Sequence, residues 1–280
     1  MSEFLERFVQ PLQKAEPPAP RAKMGFFTDQ TLCIGCKACE VACKQWNQLP
    51  SDDVRWTGHS YDNTSALSAT TWRHVLFVEK PRINGLSPTW RMVSDVCKHC
   101  GNAPCQEACP TGAIIRSEFD TVVVQNDVCN GCGYCVVACP FGVIARAPDD
   151  GGAHKCTLCY DRLKDDREPA CSKHCPTDSI QFGDLNELRA KATRRVAELH
   201  ARGETRAYLY GADKQMLDAG LNSFFLLTER PEVYNLPAEP RRPVRNNLRG
   251  YLASLAMAAG LFAIGALAMR SKDREAGNVP

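Results

Sequence analysis

The stretch Cys33-Ile-Gly-Cys-Lys-Ala-Cys-Glu-Val-Ala-Cys43 decides the fold of this 280-residue chain, because it places four cysteines within eleven positions. Three further groups of four cysteines follow, and the four groups account for all 16 cysteines of the chain. The groups are Cys33, Cys36, Cys39 and Cys43; Cys97, Cys100, Cys105 and Cys109; Cys129, Cys132, Cys135 and Cys139; and Cys156, Cys159, Cys171 and Cys175. A dense cysteine group that recurs in this way predicts several similar ligand sites.

The spacing within the groups separates three kinds of cysteine chemistry. Disulfides require an oxidising compartment and do not explain cysteines two or three residues apart. Zinc sites use C-x2-C pairs that stand well apart in the sequence. The run C-x2-C-x2-C-x3-C-P holds 4Fe–4S clusters, with three thiolates on one loop and the fourth ligating another cluster. The first and third groups have this cysteine spacing in full, which favours clusters over zinc and disulfides.

The remaining two groups fit the same interpretation. The second group widens one gap to four residues and the fourth group widens one gap to eleven, and neither loses a cysteine. Proline follows the fourth cysteine in three groups, at Pro110, Pro140 and Pro176, whereas Lys44 follows it in the first group. Sixteen cysteines divided among four-ligand sites predict four 4Fe–4S clusters with no cysteine left over.

Three lysines stand next to candidate ligands in the sequence, at positions Lys37, Lys98 and Lys155. A cluster held by four thiolates is anionic, so a nearby cation stabilises its reduced state and raises its potential. We therefore expect these lysines to lie close to the clusters without ligating iron.

Short apolar stretches predict strands, and the segments before the fourth cysteines predict single helical turns. The predicted strands are Val75-Leu-Phe-Val78, Ala113-Ile-Ile115, Val122-Val-Val124 and Val143-Ile144. Beyond the last group, residues 185–200 predict an amphipathic helix, residues 207–210 a strand, and the prolines of residues 231–243 a linker. The proline-rich stretch Ala15-Glu-Pro-Pro-Ala-Pro20 predicts that residues 1–23 form an extended N-terminal arm that a partner orders.

An apolar segment lies near the end of the sequence. Residues 251–269 are nineteen residues without charge, flanked by Arg249 and Arg270. That length suffices for one membrane crossing, so we expect residues 250–270 to anchor the protein in a lipid bilayer. A buried core helix is disfavoured because a proline-rich stretch precedes the segment. Basic residues on its two sides are nearly balanced, which leaves the orientation open.

Motifs of the common catalytic classes are missing from the sequence. It contains no P-loop, no dinucleotide glycine fingerprint and no Ser/His/Asp pattern. The formal net charge of +2 does not indicate a nucleic-acid partner. Clusters that carry single electrons make no bonds, so we expect no catalysis by the chain itself. A zinc-stabilised scaffold and an independent soluble ferredoxin are alternatives; the anchor and the long insert after Cys43 disfavour the ferredoxin.

Motifs within residues 24–237 resemble the iron–sulfur (beta) subunits of membrane-bound formate dehydrogenases, in the molybdopterin oxidoreductase iron–sulfur subunit family. They are Gly25-Phe-Phe-Thr28, Ser60-Tyr-Asp-Asn-Thr64, Thr71-Trp-Arg73, His154-Lys-Cys-Thr-Leu-Cys-Tyr-Asp-Arg162 and Pro231-Glu-Val-Tyr234. The resemblance implies an electron-transfer subunit between a formate-oxidising molybdenum- or tungsten-pterin catalytic subunit and a membrane cytochrome b with its quinone. It also implies a cluster domain on the extracytoplasmic side of the cell membrane. The alternative is the same electron relay in a hydrogenase or sulfur-compound reductase complex.

The resemblance further implies an α+β fold of two intertwined ferredoxin-like double-cubane modules with inserts, a helical extension and one C-terminal transmembrane helix. In this scheme residues 24–184 form the four-cluster domain, with an outer module of residues 24–60 and 150–184 and an inner module of residues 90–149. Residues 185–240 form the helical extension and linker. The implied ligand sets are Cys33, Cys36, Cys39 with Cys175; Cys156, Cys159, Cys171 with Cys43; Cys97, Cys100, Cys105 with Cys139; and Cys129, Cys132, Cys135 with Cys109. Electrons are expected to enter at the Cys33 cluster and to leave from the Cys129 cluster.

Overall fold

The computed structural model describes residues 21–51, 56, 58, 61, 64–80, 89–243 and 248–276. Most of the expected N-terminal arm, and three of the five positions of the Ser60–Thr64 motif, lie outside these residues. The chain divides into two units, one ending at Pro240 and the other beginning at Arg241.

The first unit mixes short strands and helices along the whole cysteine-bearing segment. Its strands are β1 (Met24–Asp29), β2 (Arg73–Lys80), β3 (Thr89–Val96), β4 (Ile114–Arg116), β5 (Val122–Val124), β6 (Ala145–Arg146), β7 (Ala153–His154), β8 (Ile180–Asp184), β9 (Tyr208–Tyr210) and β10 (Ser223–Leu227). Its helices are α1 (Ala38–Trp46), α2 (Pro104–Glu107), α3 (Tyr134–Ala138), α4 (Tyr160–Lys164), α5 (Ala170–Lys173) and α6 (Leu185–Ala201). This mixed content agrees with the α+β class expected from the sequence.

A four-stranded sheet connects the beginning of the cysteine-bearing segment with its end. The strand order is β8-β1-β10-β9, with β1 parallel to β10 and antiparallel to β8. In the β1–β8 ladder Thr28 pairs with Ile180, and the Asp29 amide donates to the Ser179 carbonyl at 2.8 Å. Because β1 runs into the first cysteine group and β8 leaves the fourth, the ladder brings these two groups together.

Successive residues of β1 face opposite sides of the sheet, as a strand requires. Phe26 packs in a buried apolar cluster with Cys39, Cys156 and Cys171. Phe27 stacks on Phe224 of β10, with ring centroids 5.4 Å apart, in a second cluster. The apolar clusters on both faces of β1 therefore include cysteines.

Two-stranded ladders make up the rest of the sheet structure: β2 with β3, β4 with β5, and β6 with β7. The predicted strands at Val75–Val78 and Val122–Val124 are confirmed, and the third is confirmed with a shift of one residue. The prediction of a strand at Val143-Ile144 is wrong, because the strand β6 begins at the next residue. Val143 and Ile144 are buried and line the space between cysteines of the second and third groups.

The segment after the last cysteine group, which was expected to form a helical extension and linker, contributes two strands to the sheet that contains β1. The predicted helix is confirmed as α6, and the Asp184 carboxylate caps it by accepting from the Asn186 and Glu187 amides at 2.8 and 3.1 Å. Strands β9 and β10 belong to the same sheet as β1. An arginine of α6, Arg195, donates from Nε to buried Asp29 at the end of β1 at 2.9 Å.

The first part of the predicted proline-rich linker is folded onto the sheet. Pro231–Tyr234 forms a 3-10 helix, and Tyr234 is buried with its hydroxyl 3.3 Å from Gln30 Oε1. Pro231 suits the first position of this turn because proline at a helix start sacrifices no hydrogen bond. The linker prediction is thus wrong for the buried residues Tyr234 and Leu236.

The second unit contains one long helix, α7 (Leu248–Ala276). Within it, Gly250–Met269 is long and apolar enough to cross a membrane, and none of that stretch is buried. Its large apolar side chains, such as Leu255 and Phe262, are exposed. Such exposure is typical of a surface that lipid or another protein covers.

Close packing of β1 against β10 leads to a stability prediction. A Cβ atom at Gly25 would lie 2.1 Å from the Asn222 carbonyl oxygen, whereas one at Gly183 on β8 would meet only the Leu188 side chain at 3.9 Å. We expect Gly25→Ala to destabilise the fold by about 1–3 kcal/mol, because the backbone must shift. The apparent melting temperature should fall by roughly 2–4 °C for each kcal/mol. Gly183→Ala is the matched control, and equal melting temperatures for the two variants would contradict the prediction.

Candidate metal centres

Each cysteine group ends with a helix whose length depends on the residue after the fourth cysteine. Helices α2, α3 and α5 end at Glu107, Ala138 and Lys173, before the prolines that follow these groups. A residue before proline is pushed out of the helical region, and Cys139 accordingly has an extended backbone. In the first group Lys44 takes the place of proline, so α1 continues through Cys43 to Trp46.

The first and last groups meet around one cavity. Cys33, Cys36 and Cys39 line it together with Cys175, and its volume is about 20 Å³. These four cysteines are called the Cys33 set below. Cys175 reaches the other three because the β1–β8 ladder holds the first and fourth groups side by side.

The second and third groups share a second cavity. Cys97, Cys100, Cys105 and Cys139 line it, and its volume is about 10 Å³. These four cysteines are called the Cys97 set below. Helix α2 packs against α3 in this region, which brings the end of the third group next to the loop of the second.

Electrostatic neighbours identify the two remaining sets. Burial raises the pKa of Cys43, and the thiolates of Cys156, Cys171 and Cys159 raise it further, so these four form the Cys156 set. Helix α1, which carries Cys43, packs against α5, which carries Cys171.

The Cys129 set is defined in the same way. Burial raises the pKa of Cys135 to about 11, and Cys129, Cys132 and Cys109 are the thiolates that add to the increase. In each of the four sets, therefore, the structure brings three cysteines of one group close to the fourth cysteine of another group.

The thiolates that influence one another across the sets place the sets in a single order. Burial raises the pKa of Cys39 to about 12, and Cys171 of the Cys156 set is among the thiolates that raise it. After burial, Cys97 is the main neighbour that raises the pKa of Cys156. The order is therefore the Cys33, Cys156 and Cys97 sets.

The Cys129 set lies next to the Cys97 set. Burial raises the pKa of Cys105 to about 12, and Cys135 is among the thiolates that contribute. Cys36 in the first set and Cys132 in the last are exposed, whereas all four cysteines of the Cys156 set are buried. The row thus has accessible ends and an enclosed interior.

The donors and cavities fit 4Fe–4S clusters better than single ions. All 16 cysteines are free thiols. Among the described residues, no three His, Cys, Asp or Glu side chains converge closely enough to hold one metal ion. Four thiolates that bind one zinc ion, at about 2.3 Å each, would converge on a single point. The cysteines of the Cys33 and Cys97 sets instead line a shared space without converging, which suits a group with its own iron and sulfide atoms.

A histidine at the Cys97 cavity fits the same interpretation. His99 lines the cavity and is buried, and its Nδ1 accepts from the Val122 amide at 3.1 Å. Its Nε2 therefore carries the proton, and it has no hydrogen-bond partner within the described part of the chain. A buried donor of this kind requires an acceptor, which sulfur atoms of a bound cluster would supply.

The three lysines expected near the clusters all lie close to cysteines. Lys37 lines the Cys33 cavity, and Lys98 and Lys155 line the Cys97 cavity. Lys98 forms an ion pair with Asp95, which offsets its charge. Lys155 donates to the Cys156 carbonyl at 3.0 Å. Burial opposes its charge, but Cys97, Cys105 and Cys156 outweigh burial and raise its pKa.

Arg73 and Ser94, which were not among the expected site residues, also contact the cysteines. Arg73 Nη2 donates to Cys171 Sγ at 3.2 Å, and Ser94 Oγ lies 3.2 Å from Cys39 Sγ. One signal in the sequence could have indicated Arg73. It lies two residues before Val75 and therefore on the same, buried face of a predicted strand.

Comparisons with known proteins agree with this geometry. Two family models, each described as a 4Fe-4S dicluster domain, match the chain over residues 32–113 and residues 88–185. The chain is 40% identical to the formate dehydrogenase iron-sulfur subunit of Haemophilus influenzae, over 80% of this chain and 73% of the relative. It is 39% identical to the nitrate-inducible formate dehydrogenase iron-sulfur subunit of Escherichia coli, over 87% and 82%.

The chain belongs to the family of formate dehydrogenase iron–sulfur subunits. The resemblance noted in the sequence is therefore confirmed, and the chain is an iron–sulfur protein of electron transfer. It is also 39% identical to the thiosulfate reductase electron transfer subunit of Salmonella typhi, over 64% of this chain and 85% of the relative. The dicluster-domain match over residues 32–113 covers the first and second cysteine groups. In the structure, however, the first group lies next to Cys175 of the fourth group.

The cavities predict the metal content of the purified protein. We expect iron and acid-labile sulfide in about a one-to-one ratio, with visible absorbance that bleaches on reduction, because 4Fe–4S clusters contain the two elements equally. Metal and sulfide analysis of anaerobically purified protein checks this expectation. Zinc bound without sulfide would contradict it and support a zinc-stabilised scaffold.

Proposed function

We propose that the chain is the non-catalytic electron-transfer subunit of a membrane-bound formate dehydrogenase and carries four 4Fe–4S clusters. The observation that carries the proposal is the row of four cysteine sets, each completed by a cysteine of another group. Relatives named as formate dehydrogenase subunits match over 80–87% of the chain, which supports formate as the electron source of the complex.

The proposed ligands are the four sets as the structure groups them. The outer module then contains the Cys33 and Cys156 sets and the inner module the Cys97 and Cys129 sets. A bound 4Fe–4S cluster accepts and releases single electrons. The chain holds the four sites in fixed order, excludes water from the Cys156 set, and supplies buried cations near anionic sulfur.

Both ends of the row present apolar side chains to the surface. Ile34 and Val41 are exposed near Cys36, with Val41 66% exposed. Tyr134 and Val137 are exposed near Cys132, with Val137 86% exposed. Exposed apolar patches of this kind favour partner docking. We assign the Cys36 end to a molybdenum- or tungsten-pterin catalytic subunit and the Cys132 end to a membrane cytochrome b subunit.

The apolar stretch Gly250–Met269 supports a single-pass membrane anchor in the lipid bilayer. The basic residues on either side of it are nearly balanced, so they do not determine its orientation. We place the cluster-bearing unit on the extracytoplasmic side of the cell membrane, on the strength of the family resemblance.

An electron relay in a sulfur-compound reductase is the second candidate. The thiosulfate reductase relative is also 39% identical to the chain. Its match covers 64% of the chain, compared with 87% for the Escherichia coli formate dehydrogenase relative. The wider match favours the formate complex over this candidate. A hydrogenase complex is the third candidate, and an assay of electron donors separates it.

The first functional prediction concerns the purified complex and its exposed end. The complex should reduce an artificial dye with formate and not with hydrogen, and the isolated chain should oxidise no formate. Cys132→Ser should leave dye reduction intact and impair quinone reduction, because Cys132 belongs to the last set. Parallel dye and quinone assays measure both effects. Intact quinone reduction would contradict the assignment of the exit.

The second functional prediction concerns the crossed ligands. Cys43→Ser should alter the cluster held by Cys156, Cys159 and Cys171, with loss of up to about one quarter of the iron. Electron paramagnetic resonance of the reduced complex, together with iron analysis, measures the change. Gln45→Ser, an exposed position on the same helix, is the matched control. A change confined to the Cys33 cluster would show that the fourth cysteine ligates within its own group.

A further inference from the structure

Arg73, the first residue of β2, is a cation with only 1% of its surface exposed. A buried charge is unfavourable unless it is paired and hydrogen-bonded. Within the described part of the chain, no carboxylate forms an ion pair with Arg73. Its compensating negative charge must therefore come from another source.

The contacts of the guanidinium group identify sulfur as that source. Nη2 donates to Cys171 Sγ at 3.2 Å, and Cys171 belongs to the Cys156 set. Nη1 lies 3.3 Å from Ser94 Oγ, which in turn lies 3.2 Å from Cys39 Sγ of the Cys33 set. One cation therefore contacts one set directly and the other through a single hydroxyl group.

The Phe26 ring packs against the guanidinium group, and one N–H of that group remains available for a further hydrogen bond. The guanidinium lies over the Phe26 ring, 4.7 Å from its centroid. Its Nε is buried and has no hydrogen-bond partner among the described residues. A planar, permanently charged group with a remaining donor suits anionic sulfur better than a lysine does.

We propose that Arg73 is a positioning residue that raises the reduction potentials of the two clusters in the Cys33 and Cys156 sets by holding one positive charge between them. The proposal rests on the proposed ligation of clusters by these two sets. Positive charge and hydrogen bonds to ligand sulfur stabilise the reduced, more anionic state, and hence raise the potential. Lys98 does not serve as an equivalent cation, because Asp95 pairs with it.

The test is a redox titration of the purified complex, monitored by electron paramagnetic resonance. Cys36→Ser and Cys159→Ser first assign the signals of the Cys33 and Cys156 sets. Arg73→Gln should then shift both assigned signals to lower potential. The expected change is about tenfold in each reduction equilibrium, or about 59 mV for a one-electron couple. The signals of the Cys97 and Cys129 sets should not move.

Three variants separate charge from structure. Arg73→Lys keeps the charge and loses the planar fork, so its shifts should be smaller than those of Arg73→Gln. Ser94→Ala removes the hydroxyl next to Cys39 and should lower only the potential of the Cys33 set. Arg195→Gln, an arginine bonded to Asp29, is the control and should change no potential.

The outcomes distinguish this proposal from the proposed function. Unchanged potentials in Arg73→Gln with full iron content, or equal shifts in all four signals, would overturn the role of Arg73. If Arg73→Gln loses iron, an unchanged potential of the Cys33 set in Ser94→Ala would overturn it. If Cys36→Ser and Cys159→Ser fail to alter two separate signals, the ligand assignment itself is wrong.

Discussion

The backbone ladder between β1 and β8 is the contact on which the arrangement of the cysteines depends. It joins Met24–Asp29 to Ile180–Asp184, two segments separated by the entire cysteine-bearing part of the chain. Its hydrogen bonds continue past the strands, since Ser179 Oγ donates to the Asp29 carbonyl at 2.7 Å. Because the ends are held together, Cys175 can complete a set with cysteines that precede it by more than a hundred residues. The second and third groups lie between these ends in the sequence.

Many of the cysteines are buried, and buried cations lie close to them in the same structure. Thiolates in an apolar environment are unfavourable without nearby positive charge or hydrogen-bond donors. Arg73 lies between the Cys33 and Cys156 sets, and Lys155 lies between the Cys156 and Cys97 sets. Each cation is thus close to two neighbouring sets. A row of anionic sites with cations between them suits a protein that transfers electrons from one site to the next.

Local chemistry explains the differences among the four groups. Proline after the fourth cysteine ends the helices of three groups, and lysine in the first allows α1 to continue to Trp46. This longer helix makes additional contacts: Trp46 Nε1 donates to Asp161 at 2.8 Å, and the Arg162 guanidinium lies 4.3 Å from the Trp46 ring centroid. The departure from the proline pattern therefore fastens Cys43 to the segment that carries Cys159.

The sequence by itself determined the number and type of the cysteine groups, because ligand spacing within a short loop is a local property. It also determined α6, whose apolar residues recur with helical period, and the apolar segment of α7. Only the tertiary structure decided which distant cysteines meet, since that depends on strand pairing across more than a hundred residues. The packing of Tyr234 and the contacts of Arg73 were decided there as well. A proline-rich stretch and an arginine both suggest exposure, and only their buried partners show otherwise.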